Sequence, residues 1–126
     1  MRNVIGADPD RGSVAIGASL QEGQVVQFHV RDADTSADDL RDALGAYAET
    51  ARGMPAEGAL LFSCTGRGRG LYGRPDHDTD LFRDLVGGLP LGGFFCNGEI
   101  GPVGGVTRLH SYTSSFGVFR ARTALD

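Results

Sequence analysis

The sequence contains no lysine and no tryptophan, has only two cysteines, and nowhere carries an apolar run long enough to span a bilayer. Each absence excludes something. Cys64 and Cys96 lie far apart, with neither a C-x-x-C pair nor zinc-ligand spacing, so a disulfide framework and a zinc module are both unsupported and no metal site is expected. The missing apolar run argues against a membrane partner, and the N-terminus lacks the basic and apolar regions of a signal peptide. A cytoplasmic location with reduced thiols is the expectation. The net charge of −4, with no basic stripe interleaved with aromatics, argues against nucleic acid as a partner. The replacement of every lysine by arginine reads as genome composition rather than chemistry.

What is present fits one α/β (α+β) domain. At 126 residues the chain is long enough to bury roughly two thirds of its unfolded surface without staples. Three strands are expected in the first third, at residues 3–7, 13–18 and 24–30. The turn residues Asp8, Pro9, Asp10, Arg11 and Gly12 join the first two as a hairpin. In the third, Val26, Phe28 and Val30 alternate with Gln27, His29 and Arg31, the pattern of a half-buried strand. From Ser36 to about Arg52 the period becomes helical, with Thr35 or Ser36 as cap and Gly53, Met54 and Pro55 as the stop. Residues 59–64 read as a strand buried on both faces and the centre of the sheet. A second helix follows from about Asp76 to Val86, closed by Gly87 and Gly88. Further strands are expected at 90–95, 106–112 and 115–122. The order β-β-β-α-β-α-β-β predicts a mixed sheet of about six strands with two helices. A right-handed crossover makes strands 59–64 and 90–95 parallel and brings Cys64 and Cys96 out at the same edge. A chain that enters a strand directly after Met1 also reads as one excised from something longer.

Ligands collect beyond the carboxyl ends of parallel strands. The candidate ligand-binding residues are therefore Cys64, Gly66, Arg67 and Gly68 after the first strand of that pair, and Cys96, Asn97, Gly98 and Glu99 after the second. Arg67 offers a planar fork suited to carboxylate or phosphate. Glu99 can hold an ammonium group or a ligand hydroxyl, or accept from the amides of a glycine turn. The cysteines can be nucleophiles, a redox pair or pocket lining; a catalytic role needs a base such as Glu99 or His110 beside them, and no catalytic residue is assigned. Gly68, Gly70 and Gly73 match G-x-G-x-x-G, but Arg74 and Pro75 keep a helix from starting within the glycines, so a dinucleotide fingerprint is rejected. Asp76, Asp78 and Asp80 imitate a calcium loop, yet Leu81 and Gly87 stand where that loop needs Gly and Glu; the helix dipole accounts for the acids.

Phe62-Ser63-Cys64-Thr65-Gly66-Arg67-Gly68, the run from Pro90 to Pro102 with its Gly98-Glu99-Ile100-Gly101-Pro102 core, and Leu109 to Ser115 resemble the C-terminal part of FIST domains. This is the sensory family named for F-box and intracellular signal transduction proteins. Arg2 to Asp8, Glu22-Gly23-Gln24 and Phe28 to Ala33 continue the likeness, which covers nearly the whole chain. The resemblance implies a cytoplasmic sensor that binds a small molecule such as an amino acid or related carboxylate and signals to kinases or chemoreceptors. It also implies a preceding N-terminal FIST region as partner. No cofactor is expected. Haem is the alternative, with His29, His77 and His110 as the histidines available to iron, and a cysteine-dependent hydrolase or transferase is a second one.

Overall fold

The computed structural model describes residues 2–121. It divides into two units, Met1–Val30 and Arg31–Asp126.

In the first unit, β1 (Val4–Asp8) and β2 (Ser13–Ile16) form the expected antiparallel hairpin. Its turn is held by the Asp8 carboxylate, which accepts from the amides of Asp10 and Arg11 at 3.1 Å each. The strand expected at 24–30 is not formed. Among the described residues no strand pairs with this segment, and Val25 and Val30 are each 92% exposed. Alternation fits a strand only if another strand supplies the ladder.

The second unit holds α1 (Ala33–Thr50), β3 (Gly58–Cys64), α2 (Arg69–Tyr72), α3 (His77–Val86), β4 (Leu91–Cys96), β5 (Glu99–Val103), β6 (Val106–His110) and β7 (Ser114–Phe119). α1 starts before the expected Ser36. Asp32 is the cap, its carboxylate accepting from Thr35 N at 2.8 Å, and Ser36 is thereby freed for a different task. Among the described residues there are three helices rather than two, because the glycine loop after β3 winds into the single turn α2. Instead of one six-stranded sheet the described residues form three small ones: β1–β2, the mixed sheet β4-β3-β7, and the hairpin β5–β6. β5 is an additional strand, and β6 and β7 end before the expected boundaries. The tail of the expected last strand, beyond residue 121, lies outside the described residues.

β3 is central and pairs parallel with β4 and antiparallel with β7. Ala59 and Leu61 on β3 are buried, and Ala59 joins Leu40 and Leu44 of α1 and Phe82 of α3 in the core. Phe82 is 1% exposed and stacks on Phe116 of β7, ring centroids 5.1 Å apart. Burying such a side chain is worth about 1.5–3 kcal/mol. Leu81, Leu85 and Val86 of α3 pack around the same centre. The two helices thus cover one face of the sheet. The parallel register sets Cys64 directly beside Cys96, so the carboxyl ends of both strands do open at one edge.

Candidate functional site

At that edge β3 runs into Thr65-Gly66-Arg67-Gly68, and β4 turns through Asn97 and Gly98 into β5. Two buried polar clusters fasten the loops.

The first is centred on Arg67, 6% exposed, and Asp78, also 6% exposed. Arg67 Nε donates to Asp78 Oδ2 at 2.8 Å and Nη2 donates to Oδ1 at 3.1 Å, a two-point pair. Nη1 donates to Ser36 Oγ at 2.9 Å and to the Tyr112 carbonyl at 3.4 Å. Asp78 Oδ2 also accepts from Ser114 Oγ at 2.6 Å and Ser63 Oγ at 3.2 Å, and His77 Nδ1 lies 2.9 Å from Oδ1. Tyr72 donates to Ser36 and stacks on His77 at 3.5 Å between centroids. The cluster ties β3, β7, α1, α2 and α3 together. Burial works to raise the Asp78 pKa, but hydrogen bonds from Arg67, Ser114 and His77 outweigh it and bring it down to about 2. Burial likewise opposes the Arg67 charge, and Asp78 more than offsets it, so its pKa moves up.

The second cluster surrounds Glu99, 1% exposed. Oε2 accepts from Thr113 N at 3.2 Å and Thr113 Oγ1 at 2.9 Å, and Oε1 faces the Cys96 thiol at 3.5 Å. No cation pairs with this carboxylate among the described residues, whereas Asp78 has Arg67. Cys96 also contacts the Ser63 carbonyl at 3.6 Å. Burial, and then the Glu99 carboxylate, push its thiol pKa up. That direction opposes a nucleophilic role, which needs a stabilised thiolate. Cys64 is buried, its sulfur accepting from Gly66 N at 3.4 Å.

Of the residues singled out in the sequence, Cys64, Gly66, Arg67, Gly68, Cys96, Gly98 and Glu99 are gathered at this edge, and Asn97 sits exposed on the turn between β4 and β5. Arg67 differs from expectation: its donors point inward to Asp78, Ser36 and Tyr112 rather than outward to an anion. Gly68 is buried with φ +64°, and a Cβ there would stand 2.9 Å from the Phe95 ring. The glycine is a steric requirement of the loop. Thr113 and Ser114 were not singled out, and Asp78 was read only as part of a calcium-loop imitation and set aside. For Asp78 a signal existed: it lies three, four and seven residues before Leu81, Phe82 and Leu85, on the buried face of α3.

Two apolar hollows line the helix-covered side of the second unit, and the first reaches Ser114 of the Arg67–Asp78 cluster. One, of about 320 Å³, is lined by Leu40, Leu44, Tyr47, Phe82, Phe116 and Arg120 among others. The other, of about 520 Å³, lies between the end of α1 and the end of α3. Neither contains a histidine. His77 is engaged by Asp78 and Tyr72, and His110 Nε2 lies 3.0 Å from the Gly101 carbonyl. No group of three or more His, Cys, Asp or Glu is placed to hold a metal ion among the described residues. Nor is any described helix long and apolar enough to cross a membrane.

Comparison with known proteins agrees with the sequence resemblance. The sequence model of the FIST C domain matches residues 1–102. An uncharacterised protein of Mycobacterium tuberculosis, Rv0628c, is 48% identical over 119 residues, covering 94% of this chain and 31% of its own length. A second, Mb0898c of Mycobacterium bovis, is 46% identical over the same span and shares. An F-box/LRR-repeat protein of Arabidopsis thaliana, At5g63520, is 30% identical over 102 residues, which is 78% of this chain and 19% of that protein. The chain spans about a third or less of the length of these curated relatives. No solved structure matches it. With four fifths of its length inside the family match, the chain belongs to the FIST C domain family, a sensory family of signal transduction.

Proposed function

We propose that this domain is a ligand-binding module of a cytoplasmic sensor, and that its ligand carries an ammonium group beside a carboxylate, as an amino acid does. One observation carries the reading: Glu99 is a carboxylate at 1% exposure whose three donors are an amide, a hydroxyl and a thiol, with no cation among the described residues. An unpaired buried carboxylate is costly, and such groups concentrate at functional sites. Oε1, facing only the thiol, retains acceptor capacity. An ammonium group reaching it past Cys96 supplies the missing charge. The ligand carboxylate then meets the loop that begins at Thr65. Arg67 acts from behind, fixing that loop through Asp78. Binding reorders the loop, and the family's N-terminal FIST region passes the change to a kinase or chemoreceptor.

The test is a thermal-shift screen against free amino acids, related carboxylates and haemin, on the wild type and on Glu99→Gln. A ligand at a hundredfold excess over its Kd stabilises by about 2.7 kcal/mol. The expected result is a shift with one class of amino compound in the wild type and its loss in Glu99→Gln. An undiminished shift in the variant, or a shift with haemin alone, overturns the assignment.

A further inference from the structure

β4 carries the pattern of one kind of strand and occupies the position of another. Its sequence, Leu-Gly-Gly-Phe-Phe-Cys, is apolar on both faces and without charge, as in a parallel strand covered on each side. In the sheet order β4-β3-β7 it is an edge, paired on one side only among the described residues. Edge strands that stay exposed are normally blunted with charge, proline or a bulge. β4 has no charge and no proline, and both of its phenylalanines are bare: Phe94 is 63% and Phe95 59% exposed.

The bare surface continues onto the face of the sheet away from α1 and α3. Phe94 lies beside Phe62, ring centroids 5.2 Å apart in an edge-to-face contact, and Leu60 is 37% exposed on the same side of β3. Phe119, paired with Gly58 at the end of β7, is exposed as well. Contiguous apolar surface of this kind marks an interaction site. Glycines at 92 and 93 leave room for close approach. At Gly93 a Cβ would stand 1.9 Å from the Leu61 carbonyl, so the strand cannot acquire a covering side chain there.

We infer that β4 is a docking strand: its free edge and the apolar face of Leu60, Phe62 and Phe94 receive a strand and its sheet from the chain that longer family members carry outside the part matched here. This rests on the partner reading above and names the surface. The length of the relatives supports this occupant. More than two thirds of the M. tuberculosis relative lies outside the 119 matched residues, and that chain is covalently at hand, whereas a second copy would have to be recruited from solution. The pairing is strand addition, with backbone bonds supplying affinity and the phenylalanines register.

The test compares amide hydrogen exchange of this chain with that of the intact M. tuberculosis relative, segment by segment, each referred to its own central strand β3. In this chain the amides of residues 91–96 should exchange far faster than those of 58–64. In the intact relative the aligned segment should be slower by on the order of a hundredfold. Phe94→Lys should lower the melting temperature of this chain only slightly, through the lost ring contact with Phe62, while lysine at the aligned position should lower that of the relative by clearly more. Protection in the relative that falls on other surfaces, with β4 unchanged, overturns the surface but leaves the partner reading. No protection anywhere in the matched part overturns both. Light scattering that shows this chain as a dimer, with β4 already protected, makes the occupant a second copy and overturns the inference.

Discussion

Replacing Asp78 by Asn should cost the domain more at neutral pH than at pH 2, by an amount set by the Arg67–Asp78 pair. The substitution keeps the shape and still offers one acceptor to Ser63 and Ser114, but it leaves the Arg67 guanidinium buried without its counter-charge. Breaking a buried pair in this way costs about 3–5 kcal/mol. The wild-type carboxyl has a pKa of about 2 in the fold against 3.8 as the ordinary value. A lowered folded-state pKa means that the unfolded chain takes up the proton first as pH falls. The stability tied to that difference is therefore complete above pH 4 and is lost as pH drops through 2. Its size is about 2 kcal/mol, from roughly 1.4 kcal/mol per pKa unit. The variant lacks this contribution at every pH. Urea denaturation followed by far-UV circular dichroism reports on α1 and α3 without requiring tryptophan. The free-energy gap between wild type and Asp78→Asn should close by about 2 kcal/mol between pH 5 and pH 2 at fixed ionic strength, with equal urea slopes. Taking the gap cancels the other carboxylates. A gap that stays constant with pH would refute the argument that Arg67 and Asp78 are bound as a charged pair.

Three further outcomes are expected. Gly68→Ala should lower stability by about 1–3 kcal/mol, through the positive φ and the Phe95 ring, and Phe95→Leu in the same chain should recover part of the loss in a double-mutant cycle. Phe82→Ala should cost about 3–5 kcal/mol in urea melts, because it empties the junction of α1, α3 and Phe116. Iodoacetamide at pH 8 should alkylate Cys96 more slowly than free cysteine, since its thiol pKa is raised, and Glu99→Gln should speed the reaction by removing one of the causes.

The parallel pair at the centre was legible because both strands are short apolar runs with a helix between them, and handedness left one arrangement. The same reasoning brought the two cysteines to a common edge. It failed where one strand's pattern was taken as sufficient: Gln24 to Val30 alternates well and pairs with nothing described. The β5–β6 hairpin was missed although Val103-Gly104-Gly105-Val106 advertises it. Both glycines have positive φ, +59° and +78°, as a two-residue hairpin turn requires. Arg67 lies at the expected edge, but its fork turns inward. An arginine in a glycine loop carries no mark in sequence of which way its fork points; the mark lay on the partner, since Asp78 falls on the inward face of α3.

The two buried charges at this edge are treated in opposite ways, and the difference separates scaffold from site. Arg67 is answered by Asp78, so neutralising either partner strands the other. Glu99 is answered only by neutral donors, so Glu99→Gln removes a charge that nothing described offsets, while the amide oxygen can still accept from Thr113. In the absence of ligand the variant should melt no lower than the wild type, because a neutral group is cheaper to bury than an unpaired ion. With a saturating ammonium ligand the order should reverse, since only the carboxylate gains from the added cation. A purely structural Glu99 gives no such reversal: the variant would then melt below the wild type by the same margin with and without ligand.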